Sequence, residues 1–310
     1  MGRSVSPGDR RERGRAWAEL LRIPALFTVP GDALAGAAAT TAPPSSRTLL
    51  AIGSSLCLYE AGMALNDWAD REEDAAERPH RPLPSGRVRP SAALTAACAL
   101  TVSGLALAAR AGRPALTVAA PLAATVWAYD LALKHTPAGP AAMAAARALD
   151  LLLGAAATAG RTREALPSAG LLATHTLTVT AVSRHETRGG SARTPLAALA
   201  ATALLTGLLP RLIRRPAGGP PGPDRPAQPV TDALGSALGA VYAATAARPY
   251  FHAALNPSPP LTQRAVGGGI RATIPLQAAL AARSGAGVTA LLVAALAPAA
   301  GRFARKVSVT

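Results

Sequence analysis

Along this chain, apolar stretches about as long as a membrane is thick alternate with short polar interruptions. Crossing a hydrocarbon core of ~30 Å takes about 20 residues of helix. Segments of that length run over 16–41, 48–70, 91–111, 114–134, 138–160, 165–183 and 194–212. Three more follow at 230–254, 265–282 and 287–303. Breakers separate them: Ala42-Pro43-Pro44, Gly112-Arg113-Pro114 and Thr136-Pro137-Ala138-Gly139 stand where a bundle needs turns. No window keeps the alternation of a strand, and helices then remain as the structure that satisfies every backbone group in lipid. The expectation is an all-α, polytopic transmembrane bundle of about nine helices, one domain over residues 1–310. Nine or ten fit, according to whether Ser284-Gly285 turns the chain or kinks one long helix. Residues 1–15 read as a flexible basic N-terminus and the Pro/Gly-rich stretch 214–228 as the one linker.

Composition sharpens the membrane reading. Half of the 310 residues are hydrophobic and only 16% are charged, against about a quarter in a typical soluble domain. Mean hydropathy is +0.23, and it comes from Ala, Leu and Val rather than from aromatics. The net charge of +15 raises nucleic acid as a partner, but the basic residues sit between apolar segments instead of clustering with aromatics on a polar domain. That is the pattern of the positive-inside rule. With the Arg-rich N-terminus cytoplasmic, Arg71, Arg78, Arg81, Arg87, Arg89, Lys134, Arg184, Arg188 and Arg193 share its side. Arg47, Arg110, Arg113, Arg161 and Arg163 fall opposite. The bias fades after the seventh segment, where Arg211, Arg214 and Arg215 fall on the far side. A multi-pass cell-membrane protein with a cytoplasmic N-terminus and no nucleic-acid partner is expected. The first fifteen residues lack the short apolar core and small-residue cleavage site of a signal peptide. Cys57 and Cys98 lie in apolar runs and read as small buried hydrophobes, with no disulfide framework or metal pair.

The chemistry concentrates in Asn66-Asp67-Trp68-Ala69-Asp70-Arg71-Glu72-Glu73-Asp74, at the end of an apolar segment. Ionisable groups there are costly and usually functional. Asn66, Asp70 and Asp74 recur every four residues, so a helix stacks them on one face. Three oxygen donors on one face suit a hard cation such as magnesium, which pairs with one or two carboxylates plus substrate phosphates. The segment continues Glu77-Arg78-Pro79-His80-Arg81-Pro82-Leu83-Pro84-Ser85-Gly86-Arg87. Its arginines put fixed positive charge, able to grip two phosphate oxygens each, beside the acidic ladder.

NDxxDxxxD followed by RPxRPLPSG resembles the first signature of the UbiA superfamily of membrane prenyltransferases, which includes the enzymes of ubiquinone, menaquinone and chlorophyll synthesis. Arg22-Ile23-Pro24 opening the first segment, Tyr129 to Lys134 ending the fourth, and Arg147-x-x-Asp150-x-x-x-Gly154 in the fifth belong to the same resemblance. It implies a UbiA-like bundle of about nine helices around a central cavity open sideways to lipid. Asn66, Asp70 and Asp74 would hold Mg2+ against a prenyl diphosphate, with Asp67 supporting. Lys134 would contact the diphosphate, although a lysine at a helix end also snorkels without any ligand. Arg78 and Arg81 would join it. The second signature departs from the family: Ser183-Arg184-His185-Glu186-Thr187-Arg188-Gly189-Gly190 keeps one carboxylate. Glu186, with His185, could ligate a second magnesium, or Arg184 could neutralise the diphosphate itself. SRHE before GG is similar to the EboC-like branch. Arg147 and Asp150, three apart in an apolar segment where relatives more often carry Asn at the second position, are either functional or a mutual ion pair.

The implied activity is transfer of an isoprenyl group, an alkyl group other than methyl, from a prenyl diphosphate to a lipid or small-molecule acceptor. Asp70, Asp74, Lys134 and Glu186 would carry it catalytically. Tyr129, Trp127 and Tyr242 are thin support for an aromatic acceptor. The competing reading is a non-catalytic membrane carrier or binder of isoprenoid diphosphate lipids.

Overall fold

The computed structural model describes residues 7–40, 42–186, 191–212 and 228–308. Thr187 to Gly190, Arg214, Arg215 and most of the 214–228 linker lie outside the described residues. No strand occurs among the described residues.

Helices run α1 Pro7–Leu20, α2 Val29–Ala39, α3 Ser46–Ala69, α4 Arg71–Glu77, α5 Pro90–Ala111 and α6 Arg113–Ala128. They continue with α7 Gly139–Ala159, α8 Leu166–Ser183, α9 Arg193–Leu212, α10 Gln228–Leu255, α11 Pro259–Arg283 and α12 Gly287–Ser308. Among the described residues, six segments are long and apolar enough to cross a membrane: Ser46–Ala69, Pro90–Ala111, Arg113–Leu133, Gly139–Ala159, Arg163–Ser183 and Arg193–Arg211. α5 and α6 leave most of their length outside the bundle's interior, with Val102 of α5 turned outward, as lipid-facing helices must. α11 works differently. It is buried nearly all round from Ala272 to Ala282, so its packing rather than its hydropathy keeps it inside the bundle.

Two expectations fail at the N-terminus. The basic segment read as flexible is helical from Pro7; its Ala16 and Leu20 are buried in a small core with Leu65, Leu83 and Val88. The first apolar segment is also not one helix. Pro24 disfavours the helical conformation in the residue before it, and a 3₁₀ turn, Ile23–Thr28, replaces the α-helix. α2 then starts at Val29, with Pro30 in its first turn. At the other end Gly285, with φ 82°, turns the chain between α11 and α12, so the kinked single helix does not form. Cys57 is half-buried and Cys98 exposed on α5, which corrects the reading of both as buried.

Packing follows the chain: α3 lies on α5, α6 on α7, α7 on α8, and α10 on both α9 and α11. α2 is threaded against α7 as well. That contact depends on absent side chains. A Cβ at Gly36 would land on the Leu151 carbonyl oxygen, and one at Gly154 on the backbone of Ala33. Small residues let helix backbones approach this closely in membranes. One apolar core, containing Leu151, Leu172, Tyr242 and Leu276, joins α7, α8, α10 and α11. A second, containing Leu58, Ala108, Ala119 and Leu153, joins α3, α5, α6 and α7. Between α3, α6 and α7 a cavity remains.

Candidate active site

The acidic ladder sits where α3 stops. Asp70 caps α3 and α4 starts at Arg71, yet the i→i+4 backbone bonds run through the junction: Asp70 N donates to Asn66 O (2.9 Å) and Asp74 N to Asp70 O (2.8 Å). The stacking expected from the four-residue period therefore survives, one turn per step. The side chains, however, go to different cations. Asn66 accepts from Arg22 Nη2 at 3.4 Å and donates to Asp130 Oδ1 at 3.1 Å. Asp67 pairs with Arg22 at 3.2 Å and Arg81 at 3.6 Å. Lys134 donates to Asp70. Arg81 lies 2.6 Å and Arg78 3.5 Å from Asp74.

Local backbone irregularities aim these groups. After α6 the chain winds into a π-helical turn, Tyr129–Leu133, of the kind frequent at functional sites. The wider turn carries Asp130 to Asn66 and Lys134 to Asp70. Arg22 adopts a left-handed backbone, φ 47°, just before the 3₁₀ turn, and its guanidinium reaches the end of α3. Thus the three regions that sequence reading singled out, around Arg22, Asn66–Arg81 and Tyr129–Lys134, converge at one end of the bundle.

The second motif reaches the site only in part. Arg184 donates to the backbone oxygen of Thr136, beside Lys134. Glu186 is half-buried; burial pushes its carboxyl above the ordinary glutamate range, and the Arg78 charge works the other way. His185 faces its own helix, with Nδ1 3.3 Å from Ala181 O. Instead, Glu73 and His135 join Asp70, each offering one potential metal-ligating atom within 4.8 Å of the others. Neither was singled out from sequence, because each lies in a run whose other members carried the pattern.

The donor set fits a hard cation. Asn66, Asp70 and Asp74 offer side-chain oxygens one turn apart, and the lysine and arginines now on the carboxylates occupy the positive role a divalent ion would fill.

The cavity, about 220 Å³, opens from this cluster into the bundle. Arg22, Asn66, Tyr129 and Asp130 line its motif end. Met63, Val126, Met143 and Ala146 form apolar walls, and Arg147 and Asp150 close the far end with Leu58 and Tyr59. Of the aromatics considered earlier, only Tyr129 faces this space. Trp127 donates to Thr101 Oγ1 at 3.0 Å, and Tyr242 is buried against His175. Arg147 and Asp150 do not form a closed pair of their own: Arg147 Nη1 lies 3.0 Å from Asp32 Oδ2 on α2, and Ser55 donates to Asp150. Asp32, fully buried, was missed; a lone acid in an Ala/Gly-rich run carries no local signal of its partner.

Residues 25–209 match the family model described as the UbiA prenyltransferase family. The digeranylgeranylglyceryl phosphate synthase of Methanopyrus kandleri is 34% identical over 128 residues, covering 40% of this chain and 45% of that protein. The enzyme of that name from Korarchaeum cryptofilum is 32% identical over 143 residues, 46% of this chain and 50% of that one. The chain thus spans about half the length of these curated relatives. Among solved structures, a UbiA homolog from Archaeoglobus fulgidus bound to GPP and Mg2+ gives a TM-score of 0.60 over 92% of this chain and 99% of that one, at 17% identity. The apo structure of a UbiA homolog from Aeropyrum pernix K1 gives 0.58 over 85% and 96%, at 19% identity. At such identities the structures share a fold.

Proposed function

The chain belongs to the UbiA prenyltransferase family, and we propose that it transfers an isoprenyl group from a prenyl diphosphate to a lipid or small-molecule acceptor, with Mg2+. The observation that carries this is the interleaving of Asp67, Asp70, Asp74 and Asp130 with Arg22, Arg78, Arg81 and Lys134 at the mouth of a membrane-embedded cavity. Such a cluster offers oxygens to a cation and N–H donors to a phosphate in the same space. With diphosphate and magnesium bound, the carboxylates would face the ion and the lysine and arginines the phosphates, in place of one another. Asn66, Asp70 and Asp74 would hold the ion, with Asp67 behind them and Glu186 at the edge. When bound, magnesium supplies Lewis-acid stabilisation of the departing diphosphate.

The chain's own residues do the rest. Lys134, Arg78, Arg81 and Arg184 offset the charge that grows on the leaving group as the allylic C–O bond breaks. Apolar walls at Met63, Val126 and Met143 keep water from the carbocation until the acceptor captures it. The relatives named digeranylgeranylglyceryl phosphate synthase support a lipid acceptor. The SRHE segment and the Gly-Gly after it support the EboC-like branch. The arginine bias supports a cell-membrane location with the N-terminus and the motif end cytoplasmic.

The test is release of diphosphate from labelled geranyl diphosphate by purified protein. Release should require magnesium, and Asp70→Ala or Asp74→Ala should lower it by at least about 100-fold. Wild-type turnover in either variant would sink the metal assignment. Binding without release in the wild-type protein would favour the carrier reading, which the altered second motif motivates.

A further inference from the structure

The far end of the cavity is polar, and nothing in diphosphate chemistry calls for that. Asn66 and Leu58 both line the space and lie eight residues apart on α3, which is about 12 Å along a helix. The Arg147–Asp150 end is therefore too deep for the leaving group. It is also where a simple hydrocarbon tail would fit worst. Asp32 and Asp150 both lie within the electrostatic reach of the one guanidinium of Arg147, so the cluster holds one more acid than base. Gln277 Nε2 donates to Asp32 Oδ1 at 2.5 Å and to Thr28 O at 2.7 Å, which uses up its donors. Asp32 Oδ2 has Arg147 nearby but no aligned hydrogen bond, and Gln277 Oε1, fully buried, has no donor among the described residues.

Three occupants of the adjoining space can be compared. Hydrocarbon would offer no hydrogen bond to Asp150 and Arg147, the polar side chains that line this end, at about 1–3 kcal/mol for each group left without one. An anion would meet two carboxyl groups against one guanidinium. A neutral hydroxyl can donate to a carboxylate and accept from a guanidinium at once. We propose that the far end of the cavity is a subsite that holds a neutral hydroxyl of the acceptor, donating to Asp150 and accepting from Arg147. Calling the ligand an acceptor rests on the transferase reading; the binding preference itself does not. The subsite anchors the acceptor, leaving its reactive position turned toward the motif end. It selects against acceptors whose inward-facing group is a carboxylate or phosphate.

A matched pair of probes tests this on the full chain in detergent: benzyl alcohol and benzoate, which differ by a hydroxymethyl in place of a carboxylate. The alcohol should bind at least tenfold more tightly. Asp150→Asn keeps the shape and removes one acid, so the preference should shrink to less than threefold. Asp150→Leu should abolish alcohol binding while magnesium-dependent binding of geranyl diphosphate stays unchanged, a split that general misfolding cannot produce. Equal or tighter binding of the carboxylate, no binding of either probe, or a preference that survives both variants would overturn the subsite. Alcohol binding with this variant pattern but no diphosphate release would keep the subsite and remove the transferase reading. Release without any alcohol preference would do the reverse.

Discussion

Arg22 carries a conformation that an arginine ordinarily avoids. A left-handed backbone costs a non-glycine residue about 1–2 kcal/mol, and such strain persists only where surrounding contacts impose it. Here the contacts are the bonds from its guanidinium to Asn66 and Asp67. Arg22→Gly removes the strain and the charge together. It should keep its thermal midpoint in detergent and lose at least about tenfold in diphosphate release, since one charge-assisted donor is gone. A fall in both, or in stability alone, would make Arg22 structural. Arg147 should behave in the opposite way. Arg147→Met leaves Asp32 and Asp150 buried without a base, and breaking a buried pair costs about 3–5 kcal/mol. Asp32→Asn leaves Arg147 with Asp150 and should be tolerated far better. Thermal unfolding of the two variants side by side decides whether the cluster carries the surplus acid assigned to it.

At the scale of elements, the chain made some things readable and hid others for definite reasons. The membrane-length helices from α3 to α9 are bounded by their own breakers, so their limits lay within a few residues of expectation, whereas the short α4 was not expected as a separate helix. The four-residue period of Asn66, Asp70 and Asp74 is local and was visible at once. Partnerships such as Asp32 with Arg147, or Asp70 with His135, join residues more than sixty positions apart, and no spacing rule reaches that far. The π-turn after α6 and the 3₁₀ turn after Arg22 bend the backbone where the residue pattern still reads as continuous helix. Gly36 and Gly154 were equally mute: the demand for glycine comes from another helix's carbonyl, not from the segment itself. Gly154→Val should therefore separate α2 from α7, lower the thermal midpoint and weaken activity together, because α2 carries Asp32 and α7 carries Arg147 and Asp150. Gly170→Val, at a position with open space around its Cβ, is the control and should leave both unchanged.

For the whole molecule the decisive question is which end faces the cytoplasm. The segment after Asp70, the turn at Thr136 and the end of α8 gather at one end, tied by Lys134 to Asp70 and by Arg184 to Thr136. The turns at Gly112 and Gly160 lie at the opposite ends of the same helices. Every basic side chain proposed to grip diphosphate is on the first of these ends, and it is also the end with more arginine. Charge bias and the proposed diphosphate site therefore make the same demand: with that end cytoplasmic, a prenyl diphosphate in the cytoplasm would meet the site without crossing the bilayer. In intact cells, a membrane-impermeant maleimide should modify Thr162→Cys, near the Gly160 turn, and leave Ser85→Cys untouched until the cells are opened. Cys57 and Cys98 lie within the membrane-length helices α3 and α5 and should stay dark in both cases, so the native background need not be removed. Labelling of Ser85→Cys from outside would invert the molecule and leave its basic cluster on the wrong side of the membrane for a cytoplasmic diphosphate.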